Sequence, residues 1–135
     1  MSSFPLTIVT PDGLLFEGQA DKLIVRTITG DMAIMARHTN CVAPLGMGRA
    51  TVVVDGKPRY AACIGGMVSV LDGVVTLVPT TFEWSDQIDY DRAEKSLHRA
   101  EAALEKKDST DAEIQLAEAR LKRALIRRSV ADRKF

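Results

Sequence analysis

The residues of this 135-residue chain whose type and spacing could do chemistry are arginines in its last third. Arg92 and Arg99 stand seven apart, one face of a helix, and Arg120, Arg123 and Arg127 recur at i, i+3 and i+7 on another. If two such helices close on each other, the rows converge on one site. Guanidinium groups so placed repel unless a polyanion lies between them, and their fork geometry matches phosphate oxygens. Spacing alone favours a plainer reading, a solvated basic face pairing with Glu94, Glu101 and Glu105. A third reading makes residues 120–134 a cationic amphipathic helix lying on an acidic surface, lipid or protein. That segment lacks the Trp or Phe residues that insert into membranes, so an acidic protein groove is its better target.

Other candidates are weaker. His38 and His98 have no metal-ligand pattern beside them and read as ordinary surface or hydrogen-bonded histidines. Cys41 and Cys63 fit no metal or redox spacing, read as small core residues, and point to a reducing compartment. Gly65-Gly66 lies between strand-like runs, where glycine marks a bulge or a close backbone approach, not a phosphate loop. No nucleophile has an identifiable base. An enzyme is not expected.

The elements that must position the arginines fall into two grammars. Up to Trp84 the chain is written in β-branched runs: Leu6 to Val9, Leu23 to Ile28, Thr51 to Val54, Tyr60 to Ile64, Met67 to Leu71 and Val74 to Val78. Asp55-Gly56 and Asp72-Gly73 suit the twisted two-residue turns of hairpins. Strands about every ten residues, with no helical period between them, predict an antiparallel sandwich or barrel over 1–84. From 85 to 135 the period changes. Ala93, Leu97, Ala100 and Leu104 line one helix face, and Ile114, Ala117, Leu121 and Ala124 line a second. Lys107-Asp108-Ser109-Thr110 is polar, and Thr110 with Glu113 has the form of a capping box, so an antiparallel helical hairpin is predicted. Its seam is rich in alanine and buries little area. The pair needs another surface, or a ligand, to hold one position.

Composition narrows the function. With 46% hydrophobic and 27% charged residues the chain can bury a core. Eighteen basic residues balance eighteen acidic ones, so a globally basic nucleic-acid binder is not expected. The balance is uneven along the chain. Residues 85–118 carry five Lys/Arg against ten Asp/Glu, and residues 119–135 carry seven against one, so the two segments suit folding onto each other. No apolar run approaches the roughly 18 residues of a membrane span. A cytoplasmic address is expected.

Read together, these segments are similar to the epsilon subunit family of the F-type ATP synthase, bacterial and ATP-binding in type. Ile88-Asp89-Tyr90-Asp91-Arg92-Ala93 resembles the family's nucleotide-binding motif, an Ile or Leu, then Asp, two variable residues, Arg and Ala. Val9-Thr10-Pro11-Asp12-Gly13, Gly30-Asp31-Met32-Ala33-Ile34, Val42-Ala43-Pro44-Leu45 and Gly65-Gly66-Met67 follow in the family's order. Leu121-Lys122-Arg123-Ala124 and Arg127 resemble the second helix of ATP-binding members. One stretch departs. Where the family has a Gly-Ile-Leu-Pro-Gly-His-type run, this chain reads Ala33-Ile34-Met35-Ala36-Arg37-His38, and a loop of different shape is expected there.

The resemblance implies a β-sandwich of about ten strands followed by a two-helix domain, and a role without chemistry of its own. The sandwich would sit in the rotor's central stalk against the gamma subunit and the c-ring, with Asp31 and His38 on the rotor-facing side. The hairpin would be a mobile brake on ATP hydrolysis, gripping the alpha/beta catalytic head through Arg120, Lys122 and Arg128 beside Arg123 and Arg127. ATP would be a regulatory ligand, with Mg²⁺ able to accompany it. Ile88 and Ala93 would pack the adenine and Asp89 would accept its amine or order the helix start. Glu83 would complete the adenine end, and Arg92, Arg99, Arg123 and Arg127 would take the ribose and phosphates. The address implied is the cytoplasmic face of a bacterial cell membrane, peripheral and through the complex. A free ATP-sensing module and a membrane-surface adaptor are the rival readings.

Overall fold

The computed structural model describes residues 2–106 and 110–132, and the chain divides into two compact units after Trp84. Lys107, Asp108 and Ser109, the polar link expected between the helices, lie outside the described residues.

The first unit is a β-sandwich of eight strands: β1 (Phe4–Thr10), β2 (Gly13–Ala20), β3 (Lys22–Thr27), β4 (Gly30–Ile34), β5 (Cys41–Pro44), β6 (Met47–Val54), β7 (Lys57–Leu71) and β8 (Val74–Trp84). Hydrogen bonding runs in the order β2-β1-β8-β7-β6-β3-β4, with β5 also on β7. All pairs are antiparallel except β1 with β8, which is parallel and departs from the all-antiparallel expectation. Alternation explains the layers. In β1, Phe4, Leu6 and Ile8 are buried while Pro5 is exposed, and β3 buries Leu23 and Val25 opposite exposed Arg26. Their inward faces meet Val52, Val68, Val70, Val75 and Leu77 in one core.

Eight strands serve where about ten were expected because β7 and β8 run through a bend without breaking. Register passes from Ile64↔Thr81 to Gly66↔Pro79, Gly65 and Gly66 have φ of 68° and 100°, and β7 changes neighbours there. Lys57 to Ile64 pairs with β6, whereas Met67 to Val70 pairs with β5. The bulge read from the glycine pair is thus the corner of the sandwich. Both expected Asp-Gly hairpins form, with Asp55 and Asp72 at φ 51° and 49°. At the Trp84 end, Phe82 and Trp84 meet edge to face at 4.9 Å, and the Arg59 guanidinium stacks 3.8 Å from the Trp84 ring centre. Cys63 is a core residue as expected, and burial pushes its thiol up to about 12.

The loop after β4 turns where the Pro-Gly pair is missing. His38 N–H donates to the Met35 carbonyl at 3.2 Å, and Arg37 takes φ 67°, a conformation that favours glycine. Left-handed backbone costs a side-chain-bearing residue roughly 1–2 kcal/mol, partly offset by the looser unfolded chain that glycine has. Arg37→Gly is therefore expected to stabilise the chain by about 0.5–1 kcal/mol, read as a higher urea midpoint. A lowered midpoint would show that the arginine's own contacts outweigh the strain.

The second unit opens with a 3-10 turn, Ser85–Gln87, followed by helices α1 (Tyr90–Leu104) and α2 (Asp111–Asp132) that pack side by side. Asp89 caps α1 by accepting the Arg92 N–H at 3.1 Å. Thr110 Oγ1 likewise accepts the Glu113 N–H at 3.2 Å, which is the capping contact expected at the start of α2. Buried on α1 are Ala93, Leu97 and Ala100, and on α2 Ala117, Ala124 and Val130. Alanine predominates. Burial contributes about 0.8 kcal/mol per methylene, so such a seam holds its helices weakly.

Candidate functional site

The structure fixes how α1 and α2 run past each other. Arg128 Nη1, near the end of α2, donates to Glu94 Oε1, near the start of α1, at 3.1 Å. The helices are therefore antiparallel, and with equal rise along each axis Arg99 stands level with Arg123. Stepping about 100° per residue from the buried stripe places Arg92 and Arg99 on one flank of α1. The same stepping from Ala117 and Ala124 places Arg120, Arg123 and Arg127 on one flank of α2. In an antiparallel pair these two flanks face the same side. The two arginine rows therefore lie along one side of the hairpin.

Electrostatics bear on the plainer reading. No carboxylate of the described residues lies within ion-pair distance of Arg92, Arg99 or Arg123. Glu101 and Glu105, expected as their partners, form no such pair among the described residues, and Glu94 goes to Arg128. The planar forks of Arg92, Arg99 and Arg123 have a geometry suited to phosphate oxygens. Asp89, bound to the backbone of its own helix, matches the helix-ordering role weighed for it. Ile88, half-buried, bridges the 3-10 turn and the cap, and Ala93 is buried one turn on. Glu83 sits one residue before the end of β8, in the first unit. Among the described residues no group of three or more His, Cys, Asp or Glu could hold a metal ion.

The residues expected to meet partners are placed as follows. Asp31 on β4 lies across from Arg26 on β3, with Oδ1 and Nη1 3.4 Å apart and both side chains more than half exposed. Arg26 lies close over Gly48, where an added Cβ would fall 2.6 Å from Arg26 Cβ, so glycine there makes room for the arginine stem. His38 is half-buried, its Nδ1 2.8 Å from the Thr39 carbonyl oxygen. Arg120 and Lys122 are exposed on α2, while Arg123, Arg127 and Arg128 are half-buried.

Sequence reasoning missed two features. One is the grouping of Tyr90, Glu94 and His98 at successive i+4 steps, a signal present in the sequence. The other is an apolar strip on the outer face of β5, β7 and β8. Met67 stands across from Val78, Leu71 across from Val74, and Val42 across from Ser69, with Val42, Met67 and Leu71 exposed by 64%, 45% and 61%. No charged side chain interrupts these pairs. Contiguous exposed apolar surface of this kind marks a docking face.

Comparison with known proteins covers both units. The family described as ATP synthase, Delta/Epsilon chain, beta-sandwich domain matches residues 3–85, and its long alpha-helix domain matches residues 86–132. An ATP synthase epsilon chain from Ruminococcus albus is 42% identical, covering 99% of this chain and 100% of the relative. One from Shouchella clausii is 36% identical over 99% of this chain and 98% of its own length. A chain of the Euglena gracilis mitochondrial ATP synthase, solved as OSCP/F1/c-ring, superposes with a TM-score of 0.80 at 26% identity, covering 90% of this chain and 77% of that one. A central stalk/c-ring chain of the Tetrahymena thermophila enzyme shares the fold, with a TM-score of 0.69 at 15% identity over 94% and 95% of the two lengths. Sandwich, helical pair and their order all agree along nearly the whole length, and the chain belongs to the delta/epsilon family of ATP synthase chains.

Proposed function

We propose that this chain is the non-catalytic rotor subunit of an F-type ATP synthase, held in the central stalk and coupling rotation to ATP synthesis. The observation that carries this reading is the uncharged strip of Val42, Met67, Leu71, Val74 and Val78, an apolar face suited to a permanent partner. The gamma subunit is that partner. The edge carrying Asp31 and His38 meets the c-ring. The chain is peripheral to the membrane through the complex, on the cytoplasmic face in a bacterium, and no described helix is long and apolar enough to cross it.

The helical hairpin is the regulatory element. Closed, it permits hydrolysis; extended into the alpha/beta head, it resists hydrolysis, with Arg120, Lys122 and Arg128 among the basic residues that grip an acidic groove. ATP binds the closed form across the flank of Arg92, Arg99, Arg123 and Arg127, with Ile88 and Ala93 toward the adenine. Binding stabilises that form by RT ln(1 + [L]/Kd), about 1.4 kcal/mol when ATP stands near ten times Kd. The brake then engages as ATP falls.

Reassembly of the synthase tests the scheme. Met67→Glu, which puts a charge in the strip, is expected to lower incorporation into the stalk by about tenfold or more. A chain ending at Ser85 is expected to incorporate normally and to relieve inhibition of hydrolysis. Normal incorporation of Met67→Glu would move the docking face elsewhere. A chain found free of any stalk partner would favour the stand-alone ATP sensor, and binding to anionic vesicles without the synthase would favour the membrane adaptor.

A further inference from the structure

Glu94 is held from both helices. The Tyr90 hydroxyl donates to Oε1 at 3.1 Å, Arg128 Nη1 donates to the same oxygen at 3.1 Å, and His98 Nε2 lies 3.2 Å from Oε2. Tyr90 and His98 stand one turn either side on α1, whereas Arg128 comes from α2, 34 residues along the chain. The carboxylate and guanidinium side chains are only 27% and 36% exposed. The Tyr90 hydrogen bond above all, with Arg128 and His98 adding to it against a raising effect of partial burial, holds the Glu94 carboxyl below the usual carboxylate range. It is ionised whenever the hairpin is closed at neutral pH.

We propose that Glu94 is a clasp that keeps the hairpin closed by sequestering Arg128, and that it does so without nucleotide. The inference rests on the reading of the hairpin as a two-position brake. Three features of the structure favour it. The seam between the helices is mostly alanine and holds weakly, so an inter-helix ion pair with supporting hydrogen bonds adds measurably to the closed form. Tyr90, Glu94 and His98 step to the flank of α1 opposite Arg92 and Arg99, so the clasp leaves the arginine cradle clear. Finally, an Arg128 engaged by Glu94 is withheld from any acidic groove outside the hairpin. Closing therefore hides one of the charges that opening would present. The chain thus carries two independent biases toward the closed form, one set by ligand and one built in.

Hydrogen exchange on the isolated full-length chain tests the clasp. Glu94→Gln is expected to speed exchange of the α2 amides by roughly two- to fivefold, the scale of a partly exposed ion pair, and Arg128→Gln to match it. The charge-reversed double variant, Glu94→Arg with Arg128→Glu, is expected to recover most of the parent's protection. Unchanged exchange in Glu94→Gln overturns the proposal, as does a double variant no better than the single ones. In the reassembled synthase at low ATP, Glu94→Gln is expected to hydrolyse more slowly than the parent, because its hairpin is more often open and its brake more often engaged; an equal or faster rate overturns the clasp. Adding ATP separates the two readings. If ATP fails to slow exchange in the parent while Glu94→Gln still exchanges faster, nucleotide binding falls and the clasp stands.

Discussion

Gly66→Ala is expected to cost the sandwich roughly 3 kcal/mol or more, enough to remove much of a small domain's stability. Two costs add at this position. Its φ of 100° is one that side-chain-bearing residues rarely adopt. Its Cβ would also run into the Val78 carbonyl oxygen and fall 2.6 Å from the Pro79 Cα. Those atoms are backbone of the adjoining strand and cannot rotate away, so relief means pulling β7 from β8 at the corner where β7 changes partners. Gly56 provides the control. Its φ is 74°, yet an added Cβ would meet nothing within 4 Å. Gly56→Ala should therefore cost only the conformational part, about 1 kcal/mol. Urea unfolding of both variants separates strain from collision. Equal midpoints would show that the corner yields easily and that the glycine pair serves only its dihedral angles.

Arg92→Ala and Arg127→Ala are each expected to weaken ATP binding by roughly ten- to a hundredfold, the loss of one charge-assisted hydrogen bond to a ligand. Arg99→Ala and Arg123→Ala should behave alike, because those residues stand level across the pair and share the flank. Lys122, exposed and on another face of α2, is the control, and Lys122→Ala should leave affinity within about twofold. Titration of ATP against the fluorescence of Trp84, the single tryptophan, measures all five. Parent-like affinity in both Arg92→Ala and Arg127→Ala would return these arginines to the solvated face that spacing alone preferred.

Much of this was legible in the chain because the signals are local. Asp55-Gly56 and Asp72-Gly73 specify their hairpins through backbone dihedrals that neighbouring residues do not alter. Asp89 and Thr110 cap their helices with side chains reaching three residues ahead. The switch from period two to period 3.6 at Trp84 likewise needs only windows of about ten residues. Strands β2, β4 and β5 escaped that reading. β2 opens with three exposed residues, Gly13, Leu14 and Leu15, and β4 and β5 have five and four residues, too few for alternation to stand out. The motif residues Ile88 to Ala93 were visible as well, but only as letters in order.

What the sequence by itself determined was therefore the two units and the strand or helix type of each. Tertiary structure alone decided which partners those elements take. The parallel pairing of β1 with β8 joins residues about seventy apart, and the change of partner along β7 depends on two other strands arriving on either side of one bend. In the same way, spacing offered Glu94 to any arginine of the helical half, and the antiparallel register of α1 and α2 gave it to Arg128. Local dihedral and solvation preferences act within a few residues, whereas pairing between distant segments is settled by packing that no single segment contains.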